Sequence, residues 1–113
     1  MSPQSPLGSF VAIAIHHAAP EHEDAMVEFM HKVVDATQGA PGLVDFKACR
    51  DAEGKYLAGV SAWESADAFQ AGLERIYSLA PLRKPAWTTK PDEVFMLVDL
   101  PRDGAAQEGA GDE

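Results

Sequence analysis

The chain has 113 residues, enough for one domain, and sets nine basic residues against eighteen acidic ones for a formal charge of −9. That balance excludes a nucleic-acid groove, which needs clustered Lys and Arg, and it excludes attraction to an anionic membrane surface. Cys49 is the single cysteine, so no intrachain disulfide can form; the apolar run FVAIAI is too short for a signal-peptide core or a membrane span, and a soluble cytoplasmic protein is the expectation.

Residues 1–8 hold prolines, serines and a glycine and read as a flexible lead-in. Phe10 to His17 is rich in Val and Ile and predicts a strand that is apolar on both faces, with Phe10, Ala12 and Ala14 on one and Val11, Ile13 and Ile15 on the other. Pro20 suits a first helical position, and Glu21, Glu23 and Asp24 oppose the positive end of the helix dipole. The helix is expected to run to about Thr37 and stop before Gly39, Pro41 and Gly42. Met26, Phe29, Met30 and Val33 form its apolar stripe, and Glu28 stands four residues before Lys32 on the polar side.

Leu43 to Arg50 predicts the second strand, with Val44, Phe46 and Ala48 on one face and Leu43, Asp45, Lys47 and Cys49 on the other. Asp51 to Gly54 is a hairpin turn, and Tyr56 to Trp63 returns as the third strand. Gly59 within it points to a bulge or a close backbone approach. Ser65 is a helix N-cap, and Ala66, Phe69, Leu73, Ile76 and Ala80 form the stripe of a second helix that ends at Pro81. Leu82 to Asp92, broken by Pro85 and Pro91, reads as a loop or a broken helical turn. Val94 to Leu100 is the fourth strand, and 101–113 is an acidic tail expected to be disordered.

The order β-α-β-β-α-β over 9–100 is the ferredoxin-like α+β pattern: an antiparallel sheet with both helices on one face. Two helices cover one face only. A chain this short buries about 60–70% of its unfolded surface, so the other apolar face calls for a partner, and a second copy packed by two-fold symmetry is the simplest.

The residues at this point resemble a known family. Pro41-Gly42-Leu43 leading into the second strand, the Asp51 to Gly54 turn, and Val60-Ser61-Ala62-Trp63-Glu64-Ser65 followed by Ala68-Phe69 look like the antibiotic biosynthesis monooxygenase (ABM) domain family. The resemblance covers about Phe10 to Leu100. It implies a dimeric α/β barrel and, for some members, cofactor-independent oxidation of phenolic or anthrone-type molecules by O₂. The haem-degrading relatives use an Asn on the first strand, a Trp at the position of Trp63 and a His on or after the second helix. This chain has neither that Asn nor a His between Phe69 and Lys90, so only Trp63 matches.

Candidate chemistry follows from residue types. Trp63, where strand meets helix, can flank an aromatic ligand or can close the turn as a core residue. His16 and His17 must point to opposite faces, so one of them faces the helices and can act as a general base near neutral pH. His22 lies closer to the apolar stripe of the first helix than His31 does. Tyr77, Arg83, Lys84 and Trp87 mix rings and cations and can clamp a phenolic or acidic ligand, or simply cover the sheet edge. Asp45 and Lys47 read as an ion pair and Cys49 as a packed small residue.

The expected catalytic set is His16, His17, Trp63 and Tyr77, with His22, Phe69, Arg83 and Trp87 contacting substrate. No metal or other cofactor is implied. The leading expectation is a monooxygenase acting on an aromatic small molecule, working as a homodimer, with no nucleic-acid or membrane partner. The competing expectations are a dimeric binding module for a hydrophobic metabolite and an ABM-type protein without oxygenase activity.

Overall fold

The computed structural model describes residues 9–100. The expected lead-in over 1–8 and the acidic tail over 101–113 lie outside the described residues. Four strands, β1 (Phe10–Ala18), β2 (Leu43–Arg50), β3 (Leu57–Trp63) and β4 (Thr88–Val98), pair antiparallel in the order β2-β3-β1-β4. The helices α1 (Glu23–Thr37) and α2 (Ala66–Tyr77) pack on each other and on the sheet, which makes the ferredoxin-like α+β arrangement.

Alternation sets which residues face the helices. Phe10, Ala12, Ala14 and His16 of β1 stand opposite Trp63, Ser61, Gly59 and Leu57 of β3, and Ala12 and Ala14 stand opposite Met96 and Val94 of β4. Gly59 is paired in continuous register with both neighbours, so of the two readings, bulge or close approach, the bulge is absent; a Cβ there would lie 3.5 Å from Cε1 of Phe46. The irregularity falls in β2 instead. Leu43 pairs with Trp63, but Asp45 pairs with Ala62, and this shift moves Leu43 onto the helix side against Phe10, Trp63 and Phe69. Val44, expected to share a face with Phe46 and Ala48, is left exposed.

The first helical segment opens with a 3₁₀ turn over Pro20–His22 before α1 begins. Met26, Phe29, Met30 and Val33 are buried as the stripe requires, while Glu28 and Lys32 form no ion pair. The carbonyls at the end of α1 are met from α2: Arg75 Nη1 donates to the carbonyls of Ala36 and Gln38 at 3.4 and 3.0 Å. Ser65 caps α2 as expected, its Oγ accepting from the N–H of Ala68 at 3.0 Å. The helix ends at Tyr77, three residues before the expected Ala80.

The largest difference from the sequence reading is β4. It begins at Thr88, inside the segment read as a loop or a broken helical turn; the helical turns are there, as 3₁₀ turns at Ala80–Leu82 and Pro85–Trp87, but the strand starts directly after them. Pro91 is tolerated because β4 is an edge strand and its register with β1 shifts between Ile15–Glu93 and His17–Lys90. No helix among the described residues is long and apolar enough to cross a membrane.

Candidate active site

The core is divided. Phe10, Ala12, Ala40, Trp63 and Phe69 pack together at one end of the sheet, and Met26, Phe29, Met30, Val33 and Leu57 pack at the other. Between sheet and helices lies a cavity of about 540 Å³ that draws its lining from both groups. Small residues keep its floor low: Ala12, Ala14, Ala48, Gly59 and Ser61 all line it. A large side chain at any of these positions would fill the space, so the cavity is a direct consequence of sequence. Its volume lies within the range of small-molecule sites. Val94 and Met96 of the edge strand line it while remaining 55% and 56% exposed, so access runs along β4.

The polar groups gather at one end. His16, Arg83, Asp92 and Tyr77 all line the cavity. Arg83 grips Asp92 through two parallel hydrogen bonds, Nη1 to Oδ2 at 2.6 Å and Nη2 to Oδ1 at 2.8 Å. Nδ1 of His16 lies 3.1 Å from Oδ1 of Asp92, off the line of a hydrogen bond, and has no other partner among the described residues. Nε2, at the far edge of the ring, makes no hydrogen bond within the described residues; with the proton on Nδ1, the nitrogen beside the Asp92 carboxylate, Nε2 is the ring's open acceptor.

Burial holds His16 below the ordinary histidine value of 6.5, outweighing the upward pull of Asp92, with Arg83 and His17 adding to the downward shift. The imidazole is therefore neutral at physiological pH and able to accept a proton. Burial also pushes the Asp92 carboxyl upward, but the contacts from Arg83 and His16 together prevail and hold it below its ordinary value. The Arg83 guanidinium is raised by its bond to Asp92.

Of the residues singled out from sequence, His16, Phe69, Tyr77 and Arg83 come together around the cavity. Tyr77 sits at the rim, 65% exposed. His17 points to the opposite sheet face, where Nε2 meets Oε2 of Glu93 at 2.6 Å and the ring lies edge-on to Tyr56. Trp63 does not line the cavity. Its ring is fully buried behind Phe69, with centroids 5.9 Å apart, and it is the core reading of Trp63 that the packing matches. Trp87 packs edge-on to Phe29 from outside the lining, and His22 closes the 3₁₀ turn before α1, away from the cavity. Asp45 and Lys47 are paired at 3.8 Å on the surface, and Cys49 is exposed rather than packed. No group of three His, Cys, Asp or Glu that could hold a metal occurs among the described residues.

Asp92 was not among the residues expected from sequence. The signal that finds it is alternation run backwards along β4: Met96, Val94 and Asp92 share a face once the strand is extended past Pro91 to Thr88.

No protein-family model matches the sequence, and no curated protein matches it. Solved structures do match in three dimensions. A conserved protein from Methanosarcina mazei aligns with TM-score 0.75 at 13% identity, over 84% of this chain and 96% of that one. A structure described as an antibiotic biosynthesis monooxygenase aligns with TM-score 0.69 at 19% identity, over 81% and 99%. A monooxygenase of Streptomyces coelicolor, solved in complex with nanaomycin D, aligns with TM-score 0.66 at 18% identity, over 86% and 92%. The chain has the ferredoxin-like fold of the antibiotic biosynthesis monooxygenase structures.

Proposed function

We propose that this protein is a cofactor-independent monooxygenase acting on a hydroxylated aromatic small molecule. The observation that carries the proposal is the apolar cavity of about 540 Å³ with one polar end, where His16 is neutral and backed by Asp92. Fold neighbours described as monooxygenases, one of them in complex with nanaomycin D, support the same reading.

The chemistry asked of the protein is modest. An anthrone-type substrate supplies the electrons: a ring CH₂ becomes C=O, and O₂ supplies that oxygen atom and leaves the other as water. The slow part is forming the substrate anion. His16 Nε2 takes the proton, and the resulting imidazolium is stabilised by the Asp92 carboxylate at 3.1 Å. Phe69, Phe29 and Val33 hold the rings and exclude water, and Tyr77 closes the rim. Arg83 acts through Asp92, which it fixes from the other side.

The protein works as a homodimer in this proposal. The sheet face away from the helices carries Val11, Ile13 and Ile15 beside Phe95 and Leu97, the last two 46% and 50% exposed, and a second copy would cover them. Sedimentation at low micromolar concentration tests this, and a stable monomer rejects it. The lone exposed Cys49 suits a reducing cytoplasm.

An oxygen-electrode screen of the wild-type protein over anthrones and hydroquinones tests the reaction. Uptake above the buffer rate supports it. Stabilisation by such compounds without uptake favours the second reading, a binding module for a hydrophobic metabolite, for which the mainly apolar lining speaks.

A further inference from the structure

The cavity's only lining cation among the described residues that is charged at all ordinary pH is Arg83, and its charge is already matched. Asp92 engages it with two short bonds and at the same time backs His16. The polar end thus holds one fixed cation, one fixed anion and one neutral ring. We propose that Asp92 is the specificity-determining residue of this cavity: by cancelling Arg83 and leaving His16 Nε2 as the open acceptor, it selects uncharged ligands that donate a hydroxyl and rejects carboxylates of the same shape. The proposal rests on the reading of the cavity as an aromatic-ligand site and adds the ligand's charge class to it.

A neutral phenol gives its O–H to Nε2 and buries its rings against Phe29, Phe69 and Val33, with no charge to desolvate. An aromatic carboxylate must give up its hydration to approach a guanidinium that already holds a carboxylate in its fork, and the Asp92 charge repels it. An aromatic hydrocarbon meets the same walls but leaves Nε2 unpaired. Replacing Asp92 with Asn keeps the side-chain size and removes the anion. Arg83 then carries an uncompensated charge at the cavity wall, and the preference inverts.

The test is calorimetric titration of the wild-type protein at pH 7 with three probes of matched ring size: 2-naphthol, 2-naphthoate and 2-methylnaphthalene. The expected result is binding of 2-naphthol at least tenfold tighter than either other probe, with Asp92→Asn shifting the naphthol-to-naphthoate ratio at least tenfold towards the acid. The double variant Arg83→Gln/Asp92→Asn, in which both charges are gone, restores the preference for the neutral probe, and Asp92→Ser, which also leaves Arg83 uncompensated, serves if Asp92→Asn does not fold. Equal or tighter binding of 2-naphthoate by the wild type overturns the proposal, as does an unchanged ratio in Asp92→Asn or, where that variant does not fold, in Asp92→Ser. Binding of no probe overturns both this proposal and the aromatic-site reading. The predicted order of affinities with no oxygen uptake leaves the selectivity standing and removes the oxygenase.

Discussion

Gly72 of α2 lies directly against the indole of Trp63 on β3. A Cβ placed on Gly72 would sit 2.7 Å from Cζ3 of that ring, and Trp63 has no space to retreat because it is fully buried between Phe10, Ala40 and Phe69. The glycine is what lets α2 descend onto the sheet, and the tryptophan is what it descends onto.

Gly72→Ala is therefore expected to destabilise the fold, although alanine is the better helix former. Overpacking of this kind costs about 1–3 kcal/mol, against about 1 kcal/mol gained from helix propensity. Urea denaturation measures the net loss. A more stable Gly72→Ala protein contradicts the close approach.

Trp63 is expected to govern stability rather than the ligand. Its Nε1 is buried with no hydrogen-bond partner among the described residues, so Trp63→Phe removes an unsatisfied donor along with part of the ring. Trp63→Ala costs about 3–5 kcal/mol by leaving a cavity, and Trp63→Phe costs less. Ligand affinity of the folded Trp63→Phe protein stays within about twofold of wild type, as titration with 2-naphthol can show.

Acid is expected to weaken the fold through the cavity's polar end. His16 binds its proton less readily in the folded chain than in the unfolded chain, where 6.5 applies. Its contribution is complete above 6.5 and is lost as pH falls through the lower folded value, because the unfolded chain takes up the proton first. Asp92, held below 3.8, acts in the same direction at more acid pH. The urea midpoint of the wild type drops between pH 7 and the folded value of His16, and in His16→Gln this part of the drop disappears. An identical pH profile in the variant contradicts the burial of a neutral imidazole.

Arg75 ties the two helices. Arg75→Ala frees the carbonyls of Ala36 and Gln38 and is expected to cost about 1–3 kcal/mol, the scale of hydrogen bonds from a charged donor. Hydrogen exchange should show the loss first in the last turn of α1.

Much of the fold was legible because its signals are local. Stripes at helical spacing located α1 and α2, Ser65 announced its cap, and the turn at Asp51 to Gly54 joined β2 to β3. The site was legible only in part, and the reasons are specific. His16 and His17 could be assigned to opposite faces by alternation, but which one faced the helices depended on the register of β1 with β3. Trp63 drew notice by its size and position, yet burial is decided by Gly72, nine residues further along and invisible as a partner until α2 is laid on the sheet. Asp92 was hidden because Pro85 and Pro91 disguised the start of an edge strand, and without that strand nothing places a carboxylate beside His16.

The most direct test of the oxygenase reading compares wild type with His16→Asn in an oxygen electrode, using an anthrone substrate near neutral pH. The wild type is expected to consume one O₂ per anthrone oxidised, and His16→Asn to lose about 10²–10⁴-fold in rate, the share that a positioned general base supplies. Equal rates for the two proteins, or a wild-type rate no greater than that of buffer, would contradict it.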